Sequence, residues 1–166
     1  MTSDRRTRVQ QSFERLPGMN CFVCAPERLN ASGLNLVFEE TETGASAPLR
    51  LPAHFQSYPG FLHGGILCAV LDETMAYAAV FKYHVLPFTR RLTTQFRGGV
   101  RAEGDYVCRA RLISGGRERF EAEASIEDEQ GRALVQAHGE FVVPSANMAA
   151  RMMPGVPLDG FLEFFN

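Results

Sequence analysis

From Gly64 to about Tyr83 the chain leaves almost no polar face: Ile66, Leu67, Ala69, Val70, Leu71, Met75, Ala76, Ala78, Ala79, Val80 and Phe81 occupy every side of the helix they would form. A helix that is apolar all round is a buried helix, so the remaining segments have to cover it. Two carboxylates, Asp72 and Glu73, interrupt its middle. Taking a carboxylate out of water costs several kcal/mol unless it is paired, protonated or turned toward a wet cavity. Either the helix is tilted so that these groups reach solvent or cap a loop, or one of them serves chemistry. Neighbouring helical residues point about 100° apart, so the two cannot meet one substrate atom. One is read as catalytic and the other as structural.

The flanking sequence supplies the cover. Leu34, Leu36 and Phe38 alternate with Asn35, Val37 and Glu39, the period of a half-buried strand, and a second strand is expected from Ala47 to Leu51 after the turn at Thr43-Gly44. Beyond Pro87 the period of two returns in Leu92, Thr94 and Phe96, in Tyr106, Cys108, Ala110 and Leu112, in Phe120, Ala122, Ala124 and Ile126, and in Ala133, Val135, Ala137, Gly139 and Phe141. Glycine-bearing turns at Gly98-Gly99, Gly104-Asp105, Gly115-Gly116 and Gln130-Gly131 separate these runs, which suits an antiparallel meander. Two strands, one helix and four strands make an α+β chain in which an antiparallel six-stranded sheet wraps around one central helix, the hotdog fold. That domain is expected over residues 34–144. A polar arm over 1–33 precedes it, with one helical turn around Val9 to Leu16. A tail over 145–166, carrying Met152, Met153, Phe161, Leu162, Phe164 and Phe165, is expected to pack on its own sheet or a neighbour's.

With 166 residues, 45% of them apolar and 22% charged, the chain is long enough for one buried core and ordinary in composition. A formal charge of −2 with both signs scattered argues against nucleic acid and anionic membranes as partners. No apolar run is expected to reach bilayer length, and the start at Asp4, Arg5, Arg6 and Arg8 leads into no secretory core, so a cytosolic protein is expected. Of four cysteines only Cys21 and Cys24 are spaced Cys-x-x-Cys. A structural zinc needs four ligands; with no second pair, the thiols are read as buried or reduced and no metal is expected, although His54 or a partner subunit offers a further ligand.

His63-Gly64-Gly65 stands where a loop enters the apolar helix. Two glycines cost helix stability, yet they let a ligand approach backbone N–H groups at the positive end of the helix dipole, a setting for a developing oxyanion. A tight turn without a ligand accounts for the glycines equally, and His63 alone fits a packing role. Eight residues of helix separate Gly64 from Asp72, about 12 Å at 1.5 Å per residue. An oxyanion donor and a base both have to lie roughly 3 Å from the reacting group, so one copy of the helix does not supply both. A site shared by two copies about a two-fold axis meets the requirement.

His63-Gly64-Gly65 followed by Leu71-Asp72-Glu73-Thr74-Met75-Ala76 resembles the signature of hotdog acyl-CoA thioesterases of the phenylacetyl-CoA type. Cys21-Phe22-Val23-Cys24, Gly33-Leu34 and His54-Phe55-Gln56 before Tyr58-Pro59-Gly60 are similar to one branch of that family. The resemblance implies hydrolysis of an acyl-CoA to a carboxylic acid and CoA by a homodimer or dimer of dimers, without a cofactor. It implies Asp72 as general base or as nucleophile, Gly64 and Gly65 at the thioester oxygen, His63 ordering the loop, and Thr89 orienting the water or the carboxylate. Many relatives carry Asn or Gln six residues before the histidine. This chain has Ser57 there and Gln56 one place earlier. Phe61, Met75 and Tyr77 are candidates for the acyl pocket, Glu73 is counted with the substrate-contacting residues, and Arg97 and Arg117 are candidates for the CoA phosphates. A non-catalytic acyl-CoA binding or sensing module, or a CoA-linked hydratase or dehydratase, fits the same fold.

Overall fold

A computed structural model describes residues 8–156; the tail positions Phe161, Leu162, Phe164 and Phe165 lie outside that range. A short helix α1 (Arg8–Phe13) leads into a long irregular segment. There follow strands β1 (Glu39–Thr41) and β2 (Gly44–Leu49), a 3-10 turn (Ala53–Phe55) and helix α2 (Gly64–Tyr83). Strands β3 (Phe88–Phe96), β4 (Tyr106–Gly115), β5 (Arg119–Glu127) and β6 (Ala133–Val142) and helix α3 (Ala146–Met152) complete the order. All strand pairs are antiparallel, in the order β1-β2-β4-β5-β6-β3. The expected six strands around one helix are present.

The helix is accepted by a sheet face of small side chains. Register aligns Ala45, Ala110, Ala124 and Ala137 across β2, β4, β5 and β6, and all four belong to the core. Such a floor lets the bulk of Leu67, Val70, Leu71 and Met75 come from α2. Gly139 extends the floor: a Cβ there would stand 2.5 Å from the Phe141 ring and 3.1 Å from Met75 Cε. α2 has the length and a hydropathy of 1.4 that a membrane span requires, against the expectation that no run would. Its apolar sides are taken up by this sheet.

Two sequence expectations change. The meander holds for β4, β5 and β6 only, because β3 lies beyond β6. The segment after Gly98-Gly99 crosses to the middle of the sheet and is held on the way by Leu62 N–H to Val100 O at 2.9 Å and a Phe61–Arg101 bridge. The first strand is β1 and not Leu34–Phe38. Leu34, Leu36 and Phe38 are buried as the alternation requires, but Asn35 has φ +53, a left-handed backbone that ends a ladder. Its side chain is tied to Ala25 O and Asn30 O. Leu34 and Leu36 donate instead to Phe22 O and Val23 O.

Gln10 completes this substitute for a strand. Only 1% exposed, it donates to Leu36 O at 3.0 Å and accepts from Phe38 N–H at 2.9 Å. The arm therefore belongs to the core, to which Phe13, Val23 and Cys24 also contribute. Gln10→Ala is expected to leave two buried backbone groups unpaired and to lower stability by about 2–4 kcal/mol, read as a shift in the urea midpoint at unchanged slope.

Candidate active site

At the start of α2 the loop has set one N–H aside. His63 is the N-cap, in extended backbone, and its Nδ1 accepts from Gly65 N–H at 2.9 Å. That bond places the proton of a neutral ring on Nε2. Ile66 and Leu67 N–H donate to His63 O. Gly64 N–H, at the positive end of the dipole, has no hydrogen-bond partner among the described residues. A Cβ on Gly64 would meet only the edge of the Phe96 ring, at 3.3 Å, and Phe96 is 52% exposed. The preceding loop is closed by Ser57 N–H to Phe61 O and by Gly60 N–H to Gln56 Oε1, both 2.9 Å. Phe61 lies against Gly99, where a Cβ would stand 2.6 Å from its ring, and beneath the Arg101 guanidinium at 4.9 Å.

Two turns along α2, Asp72 is half-buried and accepts from Thr89 Oγ1 at 2.8 Å. Burial holds its carboxyl above the ordinary 3.8, partly offset by the Thr89 hydrogen bond. Glu73 turns the other way, as the 100° helical step dictates. Its Oε1 is 3.5 Å from Cys21 Sγ, and burial, then the charge of Cys21, pushes it up to about 8. The Cys24 thiol, with backbone N–H groups of Cys24 and Val23, brings Cys21 down to about 5 against the opposing effect of burial.

The other sequence candidates fall apart spatially. Met75 and Tyr77 are 0% and 2% exposed, packed in the core of their own chain. Arg97 joins Arg101 and Tyr106 around a cleft beside Leu134 at the start of β6. Arg117 sits in the turn before β5, whose first residue pairs with Val142 at the far end of β6. The two arginines are thus roughly 25 Å apart at about 3.3 Å per residue, too far to share one phosphate group. Arg101 was not singled out from sequence; its place beside Arg97 depends on the crossover. Nor could spacing reveal that Glu73 meets Cys21 across 52 residues.

α2 and β3 run antiparallel, so Asp72 and Thr89 lie near the beginning of β3 and Gly64 and Phe96 near its end. β3 ends the sheet, and no described strand covers its outer edge. At the opposite border β1 is a three-residue strand carrying Glu39 and Glu40, a blunted edge, whereas β3 runs for nine residues.

Residues 59–135 match the family model of the thioesterase superfamily. A solved thioesterase superfamily protein aligns with TM-score 0.63 at 22% identity, over 68% of this chain and 58% of that one, so less than two thirds of that relative's length is spanned. A second protein of that superfamily aligns with TM-score 0.64 at 19% identity, over 83% of this chain and 100% of that one. A Streptococcus mutans protein bound to acetyl CoA aligns with TM-score 0.61 at 14% identity, over 67% and 90%. No curated protein matches the sequence. The sheet and its central helix give the chain the hotdog fold of these structures, and residues 59–135, less than half of it, are similar to the thioesterase superfamily.

Proposed function

We propose that the protein hydrolyses an acyl-CoA thioester, in the manner of the phenylacetyl-CoA type, at a site shared by two copies of the chain. The observation that carries this reading is Asp72, a half-buried carboxylate held by Thr89 in an otherwise uncharged helix whose first N–H is left open. Water attacks the thioester carbonyl while Asp72 Oδ takes its proton. The oxygen gathers negative charge against Gly64 N–H, the C–S bond breaks, and the proton passes to the departing CoA sulfur. A nucleophilic route, in which Asp72 attacks first and water opens the resulting anhydride, uses the same groups.

The shared site follows from the edge of β3. A second copy paired antiparallel along that edge, about a two-fold axis through its middle, sets the Gly64 end of one chain beside the Asp72 end of the other. Arg97, with Arg101, then stands near the oxyanion donor and is suited to the CoA phosphates. The binding of acetyl CoA by a protein of the same fold supports this ligand class.

Release of free thiol from a panel of acyl-CoAs, followed with a chromogenic disulfide, tests the proposal. Turnover of at least one acyl-CoA is expected, with kcat/KM falling on the acid side through a limb above 3.8, because burial raises the Asp72 carboxyl and only its anion takes a proton. Binding without turnover across the panel would assign the protein to acyl-CoA sensing instead.

A further inference from the structure

The chemistry above does not use the thiols that converge on the other carboxylate of α2. Cys21 and Cys24 flank a turn closed by Ala25 N–H to Cys21 O at 3.2 Å. Cys21 Sγ also receives the N–H of Val23 at 3.4 Å and of Cys24 at 3.5 Å. Backbone N–H groups aimed at a sulfur favour its thiolate, and the turn brings both sulfurs to one side. Glu73 meets them from the helix, so that Cys21 Sγ, Cys24 Sγ and a carboxylate oxygen lie within 4.8 Å of one another. Around a tetrahedral zinc with Zn–S near 2.3 Å, sulfur atoms sit about 3.8 Å apart. The cluster needs to close by only about 1 Å to reach that geometry.

A separate observation points into the same space. Tyr77, one turn beyond Glu73, is 2% exposed, and its buried hydroxyl has the Cys24 thiol as its polar neighbour and no hydrogen bond of ordinary geometry. The ring is fixed by stacking on Phe38 at 4.1 Å and by the edge of Phe13 at 5.9 Å, and the hydroxyl faces Cys24 and Glu73. A buried hydroxyl that meets only a thiol, a weak hydrogen-bond partner, gains from a water or ligand beside it.

We propose that Cys21, Cys24 and Glu73 bind a zinc ion, whose fourth position is taken by a water held by the Tyr77 hydroxyl. Two thiolates and one carboxylate suit zinc over the harder divalent ions. The ion clamps the segment that receives Leu34 and Leu36 N–H onto α2, one residue from Asp72. The site does not depend on the hydrolytic reading.

The full chain, purified without chelator and assayed by mass spectrometry for metal content, is expected to carry about one zinc per chain. Cadmium titration of the demetallated, reduced protein is expected to raise a thiolate charge-transfer absorption that levels off near one equivalent. Zinc at a hundredfold its Kd is expected to raise the unfolding midpoint by about 5 °C or more over the chelator-treated protein. Glu73→Gln is expected to weaken zinc binding at least about tenfold. Three results overturn the proposal: no cadmium–thiolate band in wild type whose thiols are shown to be reduced, the same band at full strength in Cys21→Ser/Cys24→Ser, or unchanged zinc affinity in Glu73→Gln. Should the double cysteine variant not fold, alkylation mapping of wild type decides. Zinc is expected to protect Cys21 and Cys24, and equal modification with and without zinc overturns the site.

Discussion

Asp72→Asn is expected to lower kcat/KM for acyl-CoA hydrolysis by about 10²- to 10⁴-fold and, in the same protein, to raise the unfolding midpoint at neutral pH. Both effects have one origin. Burial disfavours the charged carboxylate of Asp72 and lifts its titration above 3.8 in the folded chain. An acid raised in this way leaves the folded state unpenalised below its unfolded titration point. It costs stability increasingly as pH rises from there through the folded one, and the full cost stands above both. Asn keeps an oxygen for the Thr89 hydroxyl, which donates at 2.8 Å, and removes the charge. The stability gap between variant and wild type is therefore expected to close as the pH is lowered toward 3.8, in thermal melts across a pH series. Wild-type turnover in a folded Asp72→Asn protein would remove Asp72 from the chemistry. Loss of turnover together with gained stability would mark Asp72 as a group retained at a cost to the fold.

That anomaly was legible because it is local: a charge within an apolar run announces itself without knowledge of the fold. The limits of α2 were legible for the same reason, since the run opens at Gly64, directly after His63, and stops at His84, whose φ of +53 closes the helix. The strands after Pro87 follow their alternation nearly residue for residue. Alternation reports burial, however, and says nothing of who pairs with whom. Leu34, Leu36 and Phe38 alternate correctly yet bond to residues 22–23 and to a glutamine side chain, because a left-handed Asn35 breaks the pleat. The placement of β3 beyond β6 is likewise set by a crossover whose two glycines look like any other turn. The gathering of Cys21, Cys24 and Glu73 was out of reach by spacing. What the sequence offered was two unsolved needs, a Cys-x-x-Cys without further ligands and a second carboxylate in an apolar helix, and the fold answers one with the other.

Gly64→Pro is expected to lower kcat by about 10²- to 10³-fold, the loss that follows removal of one oxyanion donor, while the fold is retained. Proline suits this position on structural grounds. The first helical residue has no N–H partner to lose, and His63 already holds φ −67 and ψ 133, the extended backbone that a residue before proline adopts. The half-exposed Phe96 ring is the neighbour that has to yield. The variant therefore separates the N–H from the rest of the helix start, and it makes the division of labour between copies measurable. Asp72→Asn and Gly64→Pro are each expected to be nearly inactive alone. Unfolded together and refolded as a mixture, half of the dimers carry one chain of each kind. In such a dimer one site has lost both groups, and the other combines an intact Asp72 with an intact Gly64. About a quarter of wild-type activity is expected to return in the mixture. If both groups served within a single chain, every site in every dimer would lack one of them and no activity would return. The test thus reads the 12 Å between Gly64 and Asp72 along one helix as a fact about assembly.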